Sequence, residues 1–140
     1  MKTENTNCLF CRIVADELPS YKLYEDNQFF VMLDRFPKCI GHVLVLPKHH
    51  APTFFDLRPE DAAGLLPLAQ RVAVAMRAAI PFDGLNLLQN NGKAAEQAID
   101  HFHLHLIPRF YNDDMTIHYP KKDPAPTDFD AMFSRIKAHL

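Results

Sequence analysis

The sequence predicts an α+β domain with about five short strands, one long helix and a C-terminal helix. Over residues 58–80, apolar residues recur at steps of three and four, which is typical of a helix with one buried face. Short apolar runs bounded by Pro, Gly, Asn or Asp lie on both sides of that segment, and such runs are typical of strands. A chain of 140 residues with 48% hydrophobic residues suits one domain around one core.

The predicted elements follow one another through short connections. Residues 8–14 are expected to form a turn or a single helical turn, and Asp26 and Asn27 favour a tight turn between the first two strands. The long helix is expected over Arg58–Ile80, and Pro67 should kink or divide it. The predicted strands are Lys22–Glu25, Phe29–Asp34, His42–Pro47, Leu85–Gln89 and His101–Ile107.

Beyond Arg109 the chain becomes irregular, and residues 121–126 are typical of an extended linker. We therefore divide the chain into a domain of residues 1–110 and a C-terminal extension of residues 111–140. The extension is expected to end in a short helix that packs on the same domain or on a second subunit, and packing on the same domain is favoured. The apolar stripe of this helix consists of Phe129, Phe133, Ile136 and Leu140.

Charge and hydropathy give no reason to expect a nucleic-acid or membrane partner, since the formal net charge is −2. The first residues, MKTENTN, lack the apolar core of a signal peptide, and Pro67 and Arg71 interrupt the apolar stretch of residues 62–82. The three cysteines are an odd number and argue against a disulfide scaffold. We therefore expect a cytoplasmic protein with reduced thiols.

The segment of residues 100–107 alternates histidines with apolar residues. On a strand, alternate side chains point to opposite faces, so the histidines share one face and the apolar residues can enter a core. Three imidazoles in strict alternation are hard to explain by packing, because buried imidazoles require hydrogen-bond partners. The histidines of this polar face are His101, His103 and His105, and the apolar residues opposite are Phe102, Leu104 and Leu106.

Two kinds of chemistry are compatible with this pattern. Histidines two positions apart on a strand can chelate a catalytic zinc ion, which would make the protein a three-histidine metallohydrolase. Alternatively, the middle imidazole can attack phosphorus as a nucleophile, which requires one free ring nitrogen and an acceptor for the proton on the other. The residues alone leave both interpretations open.

Beyond the histidine segment, further motifs make the chain resemble one family, the histidine triad (HIT) proteins, over roughly residues 8–110. The resemblance implies an antiparallel sheet with two helices, assembly as a homodimer, and transfer or hydrolysis of nucleoside phosphates through a nucleotidyl-histidine intermediate. The matching segments are CLFCRI from Cys8, DELP from Asp16, YED from Tyr24, Asp34, GHVLVLPK from Gly41, NNG from Asn90, Gln97 and HFHLHLI from His101.

By position in these motifs, the resemblance implies that His103 is the nucleophile. His105 and His42 would form hydrogen bonds near the attacked phosphate and assist proton transfer. Asp34 would hold the ribose hydroxyls of the nucleotide. These assignments favour nucleophilic attack on phosphorus over a catalytic zinc ion.

The remaining nucleotide contacts are implied in the same way. Asn90 and Gln97 would contact phosphate or orient the triad, and the base is expected to be adenine or guanine. The residues implied for the base pocket are Leu9, Phe10, Ile13 and Leu33.

The spacing Cys8-x-x-Cys11 is one half of a common zinc site, and the sequence offers no second cysteine pair. The resemblance implies a structural zinc held by these cysteines with His50 and His101, and His49 competes with His50 for the third position. The alternative is a pair of small buried residues, and zinc is favoured because the companion histidines are present. No organic cofactor is expected.

The chain departs from the family pattern at Glu96, where glycine is common, and at Ala98, where many relatives carry Ser or Thr. We expect Glu96 to favour a cationic leaving group. The favoured activity is hydrolysis or transfer at the α-phosphorus of purine nucleoside phosphoramidates or related nucleotides. The alternatives are a dinucleoside polyphosphate hydrolase and a nucleotide-binding interaction module with vestigial catalysis.

Overall fold

A computed structural model describes residues 7–140, so residues 1–6, on which most of the signal-peptide prediction depends, lie outside the described residues. Within the described part, five strands form one antiparallel sheet in the order β1-β2-β3-β5-β4. The strands are β1 (Lys22–Glu25), β2 (Phe29–Leu33), β3 (Val43–Pro47), β4 (Gly84–Leu88) and β5 (Leu104–Arg109). The α-helices are α1 (Leu9–Val14), α2 (Pro59–Ala79) and α3 (Pro126–Lys137), and two short 3-10 helices span Phe54–Asp56 and Lys93–Ala95. The α+β prediction with its antiparallel sheet is confirmed.

The sheet has two buried faces, because successive side chains of each strand point to opposite sides. One face packs against α2, and the other packs against α1 and the cysteines at its start. The α2 face contains Phe29, Val31, Val43, Val45, Phe102, Leu104 and Leu106, with Leu65, Leu68, Ala69 and Met76 from the helix. The α1 face contains Phe30, Met32, Leu44 and Leu46, with Cys8, Phe10 and Cys11.

Helix α2 remains one helix, since Pro67 lies within it and does not divide it. Its first turn is tied to the sheet by Asp61, whose buried carboxylate accepts from Arg58 Nε at 2.8 Å and from Gln28 Nε2 at 3.0 Å. A buried carboxylate near a helix N-terminus is stabilised by the helix dipole as well as by these donors.

The strand predicted over His101–Ile107 begins three residues later, at Leu104. The amide of Phe102 donates to the carbonyl of Ala51 at 2.6 Å, and the amide of His101 donates to the carbonyl of Ile99 at 2.9 Å. Residues 101–103 therefore form a loop that leads into β5. The side-chain alternation still holds, because Phe102 and Leu104 both enter the α2 core.

All residues of α3 are exposed, and Phe133 of its apolar stripe is 65% exposed. The single chain therefore shows no burial of this helix on its own domain, and the packing of the helix there stays a prediction. Residues 116–125, which connect it to the domain, are exposed and have no regular secondary structure. Packing on a second subunit remains a prediction. None of the helices within residues 7–140 has the length and apolarity needed to cross a membrane.

Candidate active site

The imidazole of His103 has one committed nitrogen and one free nitrogen. Its Nδ1 lies 2.7 Å from the carbonyl oxygen of His101, and since a carbonyl oxygen only accepts, Nδ1 carries the proton. Nε2 then holds a lone pair, and it has no hydrogen-bond partner among residues 7–140. Every buried side-chain nitrogen or oxygen of the described residues has such a partner, so Nε2 reaches the surface.

His103 is neutral near pH 7. Burial lowers the pKa of its imidazole below the ordinary value of 6.5, against the opposing effects of the His101 carbonyl and the Asp34 carboxylate. A neutral ring with an accessible Nε2 lone pair is the form that attacks phosphorus.

The expectation that the three imidazoles line a polar surface is wrong, because α1 covers this side of the sheet. His101 is fully buried and His103 is only 7% exposed. Phe10 packs edge-on against both rings, with centroid distances of 5.9 Å to His101 and 5.0 Å to His103. The imidazole of His103 is therefore held between packed rings and opens to solvent at one edge.

His105 and His42 form a second imidazole pair beside His103. His42 Nε2 lies 2.8 Å from His105 Nδ1, and the rings of His103 and His105 have centroids 4.8 Å apart. Burial, followed by the nearby imidazoles of His103 and His42, lowers the pKa of His105 to about 4. Burial also lowers the pKa of His42, partly offset by Asp34, whose Oδ2 is 3.6 Å from His42 Nε2. The structure thus brings the predicted triad, His42 and Asp34 together.

Gln97 is buried, and its amide is committed to the loop before β5. Its Oε1 accepts from the amide of Gly92 at 2.7 Å, while Nε2 donates to the carbonyls of Pro52 at 2.6 Å and Ile99 at 3.0 Å. Two roles are predicted for Gln97, contact with phosphate and orientation of the triad. Its hydrogen bonds place the side chain for the second role, through this loop. Asn90 is half-buried, and its side-chain amide makes no hydrogen bond to residues 7–140, so it is available to a ligand.

The two departures from the family pattern lie on the same loop, and both side chains are exposed. Glu96 has a φ of 64°, in the left-handed region that favours glycine. The backbone thus retains the conformation for which glycine is common, although this chain carries a glutamate.

The residues predicted for the base pocket are divided between the two faces of the sheet. Leu9, Phe10 and Ile13 belong to α1, on the side of the histidines. Leu33 packs instead against the α2 core, so the structure does not bring it together with the other three residues. Met32 occupies the histidine side, because neighbouring residues of β2 point to opposite faces. Phe10 is buried beneath the histidines, which leaves Leu9 and Ile13 more open to a ligand.

Cys8, Cys11, His50 and His101 converge on one point. Each cysteine Sγ lies 3.4–3.5 Å from a histidine Nδ1, and the two Nδ1 atoms are 3.3 Å apart. Tetrahedral zinc, with Zn–S of about 2.3 Å and Zn–N of about 2.0 Å, separates sulfur from nitrogen by about 3.5 Å and two nitrogens by about 3.3 Å. These four atoms therefore fit zinc.

The imidazole of His101 is prepared for a metal at Nδ1. Its Nε2 donates to the carbonyl of Pro47 at 2.8 Å, which places the single proton of the neutral ring on Nε2. Burial lowers the pKa of His101 to about 4, so the ring is neutral and its Nδ1 lone pair faces the thiols. Of the two neighbouring histidines, His50 has a ring nitrogen close to these ligand atoms and His49 does not, so the geometry favours His50.

The alternative of one metal held by all three triad histidines is wrong. Two groups of side chains in the described part of the chain lie close enough to share an ion, and neither contains the whole triad. His101 faces the cysteines, while His105 faces His42 and Asp34.

Sequence reasoning missed three contributors to the site. The carbonyl of Pro47 orients His101, and the amide of Lys38 donates to His42 Nδ1 at 3.1 Å. Both are main-chain groups, so the identity of the side chain gives no signal for them. Met32 could have been found from the alternation of β2, because Phe30 and Met32 share a face.

Comparisons with known proteins agree with this geometry. The family model of the HIT domain matches residues 15–112. Adenosine 5'-monophosphoramidase HNT1 of Saccharomyces cerevisiae is 39% identical over 131 residues, which cover 93% of this chain and 78% of that protein. The crystal structure of SMU.412c from Streptococcus mutans UA159 has a TM-score of 0.92 at 35% identity, covering 99% of this chain and 88% of that one. A zinc-bound histidine triad family protein from Mycobacterium smegmatis has a TM-score of 0.74 at 35% identity, covering 96% and 98%. The chain belongs to the HIT domain, or histidine triad, family.

Proposed function

We propose that this protein is a nucleotide hydrolase or transferase that acts at the α-phosphorus of purine nucleoside phosphoramidates or related nucleotides. The observation that supports the proposal most directly is the divided role of His103. Its Nδ1 donates to the His101 carbonyl, which leaves a neutral ring with an accessible Nε2. The similarity to a protein named adenosine 5'-monophosphoramidase favours an amine as the leaving group.

The reaction proceeds in two displacements. In the first, a bond forms between His103 Nε2 and phosphorus while the bond from phosphorus to the leaving nitrogen breaks, and the released amine takes up one proton. In the second, water attacks phosphorus and the bond to Nε2 breaks. The products are a nucleoside monophosphate and neutral His103, and the attacking water loses one proton.

The nucleotide is proposed to lie across the α1 side of the sheet. Asp34 holds the ribose hydroxyls, Asn90 contacts a phosphate oxygen, and Leu9 and Ile13 contact the purine. The half-buried Asp34 carboxylate supports this placement, because Oδ1 accepts from the amide of Phe36 at 2.9 Å and Oδ2 lies 3.6 Å from His42. The side-chain amide of Asn90 is available on the neighbouring loop.

We also propose a structural zinc held by Cys8, Cys11, His50 and His101. When bound, the metal would supply a closed tetrahedral cross-link and no open position for water. The match between the interatomic distances and a zinc tetrahedron supports this site. None of the three cysteines forms a disulfide, and a reducing cytoplasmic location would keep the ligand thiols available to the metal.

A homodimer is proposed, formed through α2 and the edge strand β4. Leu66 and Leu87 are exposed large hydrophobic residues, and they border a cleft of about 500 Å³ between the helix and the strand. β4 pairs with β5 on one side only, which leaves its other edge open to a second copy. The exposed apolar stripe of α3 is proposed to pack on that second copy.

The test is to trap the covalent intermediate. The protein is mixed with an adenosine phosphoramidate, quenched in base to preserve the acid-labile bond, and digested for mass spectrometry. We expect adenylylated His103 in the wild type. His103→Asn is expected to lose roughly a thousandfold or more in kcat while nucleotide binding is retained. The exposed His139, replaced in His139→Asn, is the matched control. Near-normal turnover by His103→Asn, or adenylylation at another residue, would contradict the proposal.

A further inference from the structure

The imidazole pair of His42 and His105 has a defined direction of hydrogen bonding. The main-chain amide of Lys38 donates to His42 Nδ1 at 3.1 Å. An amide N–H can only donate, so Nδ1 of His42 is an acceptor. A neutral imidazole carries one proton, and in His42 that proton is therefore on Nε2.

The same reasoning extends to His105. His42 Nε2 lies 2.8 Å from His105 Nδ1 and carries a proton, so it donates to that nitrogen. The single proton of a neutral His105 must then lie on Nε2. Burial lowers the pKa of both imidazoles, so both rings are neutral near pH 7.

The loop that supplies the amide is fixed independently of the imidazoles. Gly41 has a φ of 89°, and a Cβ at this position would lie 2.4 Å from Cδ1 of Ile80. The amide of His42 donates to the carbonyl of Cys39 at 3.2 Å, and the Cys39 thiol donates to the carbonyl of Pro108 at 3.4 Å. The packing of residues 39–42 thus determines where the Lys38 amide points.

We propose that the Lys38 amide makes His105 a fixed hydrogen-bond donor to a phosphoryl oxygen and prevents the His42–His105 pair from relaying a proton. Donation of the His105 Nε2 proton could be balanced only if His42 passed on its own proton. His42 would then become an anionic imidazolate, with Asp34 Oδ2 only 3.6 Å away. That arrangement is unfavourable, since two negative charges would meet in a poorly solvated site.

This inference rests on the proposed function and changes one part of it. The predicted assistance of His42 and His105 in proton transfer is replaced by a donor role, in which His105 stabilises charge on the phosphoryl group. His42 is a positioning residue that acts through His105. The leaving amine then takes its proton from water and not from the triad.

The first test is spectroscopic and needs no substrate. In the purified full-length protein labelled with ¹⁵N-histidine, two-bond ¹⁵N–¹H couplings report which ring nitrogen is protonated. At pH 7.5 we expect the Nε2–H tautomer for His42 and for His105, and the Nδ1–H tautomer for His103. An Nδ1–H tautomer at His42, or exchange between two tautomers at His105, would overturn the inference and leave the proposed function standing.

A second test changes the amide itself. Lys38→Pro removes the N–H, while Lys38→Ala retains it. We expect mixed tautomers at His42 in the proline variant and the wild-type tautomer in the alanine variant. Wild-type tautomers in a folded Lys38→Pro variant would contradict the role of the amide. If that variant does not fold, the wild-type spectrum still decides the direction of the hydrogen bonds.

The third test separates a donor from an acid by the leaving group. An amine needs a proton to leave, whereas sulfate leaving from a nucleoside phosphosulfate does not. His42→Leu removes the donor to His105, and His42→Gln retains an amide that can accept from Lys38 and donate to His105. We expect kcat/KM of His42→Leu to fall by a similar factor, on the order of a hundredfold, for both substrates, with partial recovery in His42→Gln.

A loss confined to the amine substrate would show that the pair delivers a proton, and would overturn the inference. The proposed function would fail separately, if no adenylylated His103 formed from either substrate. The two failures are therefore distinguishable.

Discussion

Disrupting the proposed zinc cluster of Cys8, Cys11, His50 and His101 is expected to release α1 from the sheet while leaving the α2 core folded. Cys8→Ser removes a ligand at the start of α1, where the buried Cys8 and Cys11 lie on either side of Phe10. The larger core between α2 and the sheet contains no residue of α1, so it does not depend on the metal. Cys39→Ser is the matched control, because the Cys39 thiol lies outside the cluster.

The magnitude follows from what α1 buries. Full burial of a phenylalanine side chain contributes up to about 3 kcal/mol, and Phe10 is 4% exposed. Loss of this contribution alone lowers the melting temperature of a domain of this size by about 10 °C. Structural zinc can add apparent binding energy on the order of 10 kcal/mol, so this shift is a lower estimate.

The assay combines metal content with thermal unfolding. We expect one zinc per chain in the wild type and in Cys39→Ser, by elemental analysis of protein purified without chelator, and none in Cys8→Ser. A strong chelator should lower the melting temperature of the wild type to that of Cys8→Ser. Wild-type protein without zinc, or equal melting temperatures for the two cysteine variants, would refute the reasoning.

Four further predictions concern the pH dependence of activity, the pH dependence of stability, the base pocket and the loop before β5. In the proposed mechanism His103 must be neutral to attack, and burial lowers its pKa, so kcat/KM should be level above pH 6.5 and fall in acid with a midpoint below pH 6.5. A midpoint above pH 6.5 would contradict the assignment of His103 as the nucleophile. The pKa of His105 falls from 6.5 to about 4 on folding, so the unfolded chain binds more protons in this range, and the free energy of unfolding in urea should decrease as pH falls from 6.5 towards 4. Met32→Ala should raise KM for the nucleotide, whereas Leu33→Ala should lower stability without raising KM, and the reverse pattern would restore Leu33 to the pocket. Gln97→Ala leaves three backbone groups without their hydrogen-bond partner. The substitution should lower kcat roughly tenfold or more and the free energy of unfolding by about 2 kcal/mol. Wild-type kinetics and a wild-type melting temperature would contradict the positioning role of Gln97.

Local patterns in the sequence predicted most of the framework. The apolar periodicity of residues 58–80 predicted α2 within one residue at each end, and the alternation of residues 101–107 predicted which side chains enter the core. The motif resemblance predicted that Cys8, Cys11 and His101 meet, and the cluster brings them together. Helix and strand periods are properties of neighbouring residues, so a single sequence expresses them directly.

The start of β5 and the position of α3 could not be predicted in this way. β5 begins late because the amide of Phe102 donates to the carbonyl of Ala51, 51 residues away in the sequence. The stripe of α3 was recognisable as apolar, but the surface on which it packs is set by contacts outside the helix. Periodicity shows which face of an element is apolar and does not identify its partner.

The sequence by itself determined the sheet and the long helix, and it predicted the histidines to which the proposed function assigns roles. Only the tertiary structure decided which nitrogen of each imidazole is free. His101 donates to Pro47, His103 to His101, and His42 accepts from Lys38. Each of these partners is a main-chain group, and one of the three, the carbonyl of Pro47, lies on another segment of the chain. The protonation of an imidazole depends on the donors and acceptors that folding brings to it. The histidine pattern therefore predicts the kind of chemistry, and the packed loops determine which ring nitrogen is protonated.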